Sequence, residues 1–204
     1  MSTKLKIAAA VAAAVLLSAC SSPKHEPMPL VKFTPSMEVT EVWSKGLSSA
    51  EGFLVPAVYD DMVFAAGGKT LTRLNARTGE TEWSVSFNSP ITGGVGSDGY
   101  VTAVGLWDGN LEVVDAEGKV SWEKKLTTEL ASPPVVSHGL VIARTMDTRV
   151  SAFEASSGEL QWTYQRSQPA LTVRLPTRML AHDNFLLVGQ PNGHIVILDI
   201  ASGK

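Results

Sequence analysis

The sequence predicts an all-β fold of the propeller class, built from four-stranded antiparallel blades, and three observations carry that prediction. The first is a block that returns at a fixed step: Leu74-Asn-Ala-Arg-Thr-Gly79-Glu-Thr-Glu-Trp83, Val114-Asp-Ala-Glu-Gly118-Lys-Val-Ser-Trp122 and Phe153-Glu-Ala-Ser-Ser-Gly158-Glu-Leu-Gln-Trp162. A fourth copy, Leu198-Asp-Ile-Ala-Ser-Gly203-Lys204, stops before its tryptophan. The tryptophans step by 39 and 40 residues, and Trp43 lies another 40 upstream. A constant period near 40 marks a repeat protein whose units bury their faces against one another. The second observation is the absence of helical periodicity beyond the first twenty residues; short apolar runs bounded by turn residues fill the rest. The third is the number of such runs, four per repeat, which is the strand count of a blade.

The chain divides into three expected parts. Residues 1–19 read as a leader: Lys4 and Lys6 precede an apolar run over 7–17 that is too short for an ordinary membrane-spanning helix. Leu17-Ser-Ala-Cys20 follows and matches a lipobox, so Cys20, the only cysteine, is expected to become the lipidated N-terminus. Ser21 beside it is similar to the sorting signal for the outer membrane of Gram-negative bacteria, with the chain on its periplasmic face. Residues 20–37, with Pro23, Pro27, Pro29 and Pro35, read as a semi-rigid spacer of about 3 Å per residue. Without the leader the chain carries 15 basic and 20 acidic side chains, a balance that argues against a nucleic-acid partner. A single cysteine leaves no intrachain disulfide, so stability must come from packing.

Residues 38–204 read as a partial propeller. Residues 38–45, with Trp43, form an expected closing strand, and blades are expected over about 53–87, 91–126, 131–166 and, incomplete, 176–204. Each blade has a short strand and a tight turn (Asp60-Asp61, Asp98-Gly99, His138-Gly139, Asp183-Asn184), then an apolar strand over 62–66, 100–105, 140–143 or 185–188. A second turn leads to 71–74, 111–114, 150–153 or 195–198. Asp-Gly and Asn-Gly suit two-residue hairpins because those turns need positive φ. The glycine of each block lets the next turn close. Its tryptophan, on the outer strand, is expected to lie flat against the neighbouring blade. The structural set is Trp43, Gly79, Trp83, Gly118, Trp122, Gly158 and Trp162, and a ring of that size contributes about a few kcal/mol when covered.

The block Asp/Asn-Ala-x-x-Gly-x-x-x-Trp resembles the tryptophan-docking motif of quinoprotein-type (PQQ-like) propellers. It is unlike WD40 repeats: Trp107-Asp108 and Gly193-His194 each occur once, out of register. Within that superfamily the lipobox, the Pro-rich spacer and Ser132-Pro-Pro-Val-Val-Ser-His-Gly-Leu-Val-Ile-Ala resemble the BamB-like lipoproteins of the outer-membrane β-barrel assembly machinery. That resemblance implies a non-catalytic scaffold, with no cofactor, that assists insertion of barrel proteins. It also implies eight blades, which need roughly 320 residues. Three blades and most of a fourth are expected here, so the ring stays open and the sequence reads as a fragment or truncated product.

The stretch between the third and fourth blades is the candidate site. Gly158 to Gly203 spans 45 residues, against 39 and 40 for the earlier steps, and the surplus falls in Ser167-Gln-Pro-Ala-Leu171-Thr-Val173-Arg174-Leu175-Pro-Thr. Alternating aliphatics beside an arginine suit a partner surface; from the residues alone they equally suit a loop folded back on blade four. The resemblance implies that Leu171, Val173 and Arg174 contact the periplasmic POTRA domains of BamA, with Val173 standing where the family has leucine.

Other patterns carry little chemistry. Gly94-Val-Gly96-Ser-Asp-Gly99 spells a dinucleotide fingerprint, but a strand rather than a helix follows it, so these read as loop and turn glycines. His25, His138, His182 and His194 have no ligand-spaced partners, so no metal site is expected. Ser137-His138 reads as a turn dipeptide. The rival is a PQQ-dependent dehydrogenase; those enzymes resemble this chain in blade motif, but their adjacent cysteine pair and recurrent Ca2+ ligands have no counterpart here. A ligand-sensing periplasmic propeller is a third reading.

Overall fold

The computed structural model describes residues 29–31, 36–48, 54–166 and 177–204. The chain separates into residues 1–40 and 41–204. In the first unit the described residues form no strand or helix, and Leu30, Val31, Met37 and Val39 are exposed. Cys20 and the leader lie outside the described residues.

Among the described residues of the second unit the regular structure is all β. Strands β1 (Ala57–Tyr59), β2 (Met62–Gly67), β3 (Thr70–Asn75) and β4 (Thr81–Ser86) form one antiparallel sheet in chain order. A second sheet is β5 (Ile91–Ser97), β6 (Thr102–Leu106), β7 (Asn110–Val114) and β8 (Val120–Lys125). The third is β9 (Val135–Ser137), β10 (Leu140–Arg144), β11 (Val150–Glu154) and β12 (Leu160–Tyr164). The last has three strands, β13 (Leu180–His182), β14 (Phe185–Gly189) and β15 (Ile195–Asp199). These are propeller blades, three complete and one three-stranded. Residues 41–48 enter no ladder among the described residues.

The burial pattern explains the composition. Strands β6 and β10 are buried along their whole length because sheets cover both of their faces, and they are apolar apart from Thr102 and Arg144. The outer strands β4 and β12 alternate toward their ends and β8 is exposed apart from Trp122; in all three the tryptophan is half-buried. Three cores lie between successive sheets. Phe64, Ala66 and Leu71 pack with Ile91, Val104, Leu106 and Val114 at the first junction. Ala103, Leu111 and Val113 meet Leu130, Val141 and Phe153 at the second. Leu140, Ile142 and Ala152 meet Met179, Leu186, Val188 and Leu198 at the third.

The fingerprint-like glycines differ from the sequence expectation. Gly94 and Gly96 lie inside β5, not in a loop; only Gly99 sits in a turn. Gly94 (φ 79°) falls where the β5–β6 register slips between Ile91 and Val95, a bulge. A side chain on Gly94 would meet Pro133 at 2.6 Å, and one on Gly96 would run into the Pro134 carbonyl. These glycines let the approach to β9 cross close over β5.

Candidate functional site

The repeated block builds one contact four times. After β3, β7, β11 and β15, the N–H of Gly79, Gly118, Gly158 and Gly203 donates to the carbonyl of Asn75, Asp115, Glu154 and Asp199, at 2.9, 3.1, 2.8 and 2.8 Å. The four glycines have φ of 73°, 81°, 72° and 68°, a left-handed conformation that side chains resist. The Asn75, Asp115 and Asp199 side chains accept from backbone N–H groups two or three residues on, at 2.8–3.1 Å, which fixes each turn.

The preceding tryptophan lies on each of these turns. Trp43 covers Gly79, Trp83 covers Gly118, Trp122 covers Gly158 and Trp162 covers Gly203. A Cβ on those glycines would stand 2.7, 2.8, 2.8 and 2.5 Å from the ring. Each indole Nε1 donates to the carbonyl of Ala76, Ala116, Ala155 or Ile200, at 2.9, 2.9, 2.8 and 2.8 Å. The glycine is therefore required twice, for its φ and for the ring above it. Trp43 makes this contact although its own segment has no sheet.

The connections between blades are not equivalent. On the first, the Phe87 and Ile91 N–H groups donate to Lys69 and Gly68 carbonyls at 2.9 and 2.8 Å. On the second, Leu126 donates to the Gly109 carbonyl at 3.0 Å and Ala131 to Arg144 at 2.8 Å. Ile91 is 1% exposed and Leu130 6% exposed. The third connection contains Leu171, Val173 and Arg174, and all three lie outside the described residues. Its described start, Arg166, makes no bond matching those of Phe87 and Leu126. Its described end, Thr177, accepts a 2.7 Å hydrogen bond from Arg144 Nη1. Arg144 is only 4% exposed, and burial lowers its pKa. Sequence reasoning passed over Arg144 because it closes an apolar strand; the strand register is what sets it apart.

A second charged group also escaped the sequence. Glu112 on β7 lies opposite Glu123 on β8, at the row where the flanking blades place hydroxyl pairs, Thr72 with Ser84 and Ser151 with Thr163. Burial, then the nearby Glu123 and Asp108 charges, pushes its carboxyl up to about 7. Asp147 goes the other way. Burial acts to raise it, but hydrogen bonds from Thr145 and Thr127 and the Arg149 backbone outweigh burial and lower it. Ser137 Oγ and His138 Nδ1 lie 2.8 Å apart on an exposed turn.

Stacked four-stranded sheets locked by tryptophan on glycine define a propeller of the tryptophan-docking class. The sequence profile of the outer membrane protein assembly factor BamB matches residues 39–90 and 67–204. The outer membrane protein assembly factor BamB of Burkholderia pseudomallei is 37% identical over 202 residues, covering 96% of this chain and 53% of that protein. This chain belongs to the BamB family of outer membrane protein assembly factors. The crystal structure of BamB from Moraxella catarrhalis superposes with a TM-score of 0.65 at 28% identity, covering 74% of this chain and 46% of that one. The chain spans about half the length of the curated relatives it matches. A quinohemoprotein alcohol dehydrogenase from Pseudomonas putida matches with a TM-score of 0.60 at 17% identity, over 77% of this chain and 34% of that one, a likeness of fold alone.

Proposed function

We propose that this chain acts as a non-catalytic scaffold in the assembly of outer-membrane β-barrel proteins, held at the periplasmic face of the membrane by a lipid on Cys20. Its partner is the POTRA region of BamA, met through Leu171, Val173 and Arg174. The observation that carries this reading is the 37% identity to an outer membrane protein assembly factor across 96% of the chain. Two features support the choice of surface. The third connection is longer than the other two, and it combines aliphatic anchors with an arginine, a composition favoured at binding hot spots. Stacked blades hold such a loop on a rigid support, which lowers the ordering cost of binding.

The test is binding of the full-length protein to purified BamA POTRA domains. The double variant Leu171→Asp, Arg174→Glu is expected to lose at least about tenfold in affinity, the loss of one good anchor or more. Wild-type affinity in that variant contradicts the assignment.

A further inference from the structure

The outer strands of the three complete blades differ at the residue two places beyond the tryptophan. Val85, Lys124 and Tyr164 occupy one station, opposite Leu71, Leu111 and Val150. Val85 and Tyr164 are partly buried and pack against the cores of the first and third junctions. Lys124 is exposed, and it lines a cavity of about 330 Å³ between β8 and the third blade. Lys124, Lys125 and Arg149 bring three positive charges to this cavity, and among the described residues no carboxylate lines it. Leu126, Phe153 and Leu160 give it an apolar wall.

Two of the three cations are poorly compensated. The Lys125 ammonium donates to the Asp108 carbonyl. Lys124 enters no ion pair among the described residues. The Arg149 Nε is buried without a hydrogen-bond partner, and its ion pair with Asp147 is long, at 3.9 Å. The Asp147 carboxylate is committed to the Thr127 and Thr145 hydroxyls. A buried donor on a charged group favours an acceptor that can reach it. The row beside it shows which acceptor fits. Ser151 and Thr163 line the same cavity and share a hydrogen bond at 3.3 Å. The second blade puts Glu112 and Glu123 in that row, so a blade accommodates carboxylates there. The third blade has hydroxyls instead, which can turn to donate to an incoming carboxylate beside the Arg149 and Lys124 donors. The apolar wall favours a carboxylate carried on a hydrocarbon stem over a bare ion, and the volume lies at the lower end of ligand-pocket sizes.

We infer that the cavity between the second and third blades is a binding site for an acidic peptide segment, a glutamate flanked by apolar residues. Arg149 and Lys124 hold the carboxylate, and Leu126, Phe153 and Leu160 receive the flanking side chains. This assignment does not rest on the docking role proposed above.

The probe is a blocked tripeptide with glutamate between two leucines, titrated at low ionic strength into isotope-labelled full-length protein and followed by NMR. Its glutamine counterpart is the control. The glutamate peptide is expected to shift the Lys124 and Arg149 side-chain resonances and to bind about tenfold tighter than the glutamine peptide. Lys124→Val and Arg149→Thr install the residues that the first blade has at those stations, Val85 and Thr70, so both variants are expected to fold. Arg149→Thr should weaken the glutamate peptide about tenfold and Lys124→Val about threefold, with the glutamine peptide unchanged in both. Equal affinity for the two peptides overturns the inference, and so does wild-type affinity in a folded Arg149→Thr variant. Should that variant fail to fold, wild-type affinity in Lys124→Val overturns it equally. Inorganic phosphate is titrated in parallel; phosphate binding without any preference between the peptides would make this a site for free anions and overturn the peptide assignment. Absence of binding by the glutamate peptide up to about 10 mM overturns it as well.

Discussion

The second and third junctions use the same fastening between blades and differ in what joins them. Trp122 over Gly158 and Trp162 over Gly203 have the same indole bond at 2.8 Å, although the chain between donor and acceptor is 33 residues in one case and 38 in the other. The fastening therefore does not depend on the connection. At the second junction Leu130 is buried and its segment is bonded to both blades. At the third, the described end of the connection is tied to the third blade by the bond from Arg144 to Thr177. The comparison teaches that a repeat fold can vary a connection freely once a separate contact holds the units together, which is how a rigid scaffold gains a site for a partner.

The largest expected effects test the shared part. Trp122→Ala and Trp162→Ala should each cost about 3–5 kcal/mol, as for other large-to-small changes of aromatic side chains, and the two costs should agree within about 1 kcal/mol. Urea unfolding of the full-length protein measures both; a large gap between them would mean that the docks depend on their connections. The next pair tests the difference. Leu130→Ala is expected to cost about 2–4 kcal/mol, whereas Arg166→Ala, at the exposed start of the third connection, should cost under about 1 kcal/mol. Equal costs would show that the two connections are packed alike at these positions.

The smallest effect concerns the first junction. Glu112 carries a folded-state pKa of about 7 against an ordinary 4.5. A carboxyl with a raised folded value contributes its stability fully below about pH 4.5, and that contribution is lost as pH climbs through 7. Glu112→Gln should therefore leave stability unchanged at pH 4 and raise it by about 1–2 kcal/mol at pH 8. A gain of equal size at both pH values would assign it to packing rather than to titration.

Most of the architecture was legible in the chain because its determinants are local. Gly79 and Trp83 recur with their blade, and period-two strands with Asp-Gly turns specify hairpins without reference to distant residues. The partner of each tryptophan was legible only in part. The block places Gly118 in a turn, but nothing local says that Trp83 from the previous blade will cover it. Gly94 and Gly96 were misread because a bulge and a close crossing by Pro133 and Pro134 are set by the next blade. Arg144 and Glu112 escaped for the same reason: each looks ordinary in its strand and becomes informative only beside the equivalent residues of other blades. The five added residues were visible by counting.

The most direct measurement is amide hydrogen exchange of the wild-type full-length protein, compared across the three connections. Strong protection is expected at Phe87, Ile91, Leu126 and Ala131, whose N–H groups are bonded to carbonyls of the blades they bridge. Protection at Arg166, whose N–H has no corresponding partner among the described residues, should be lower by about tenfold or more. Equal protection at Arg166 would contradict the account, because it would mean that the third connection leaves its blade tied as the other two are.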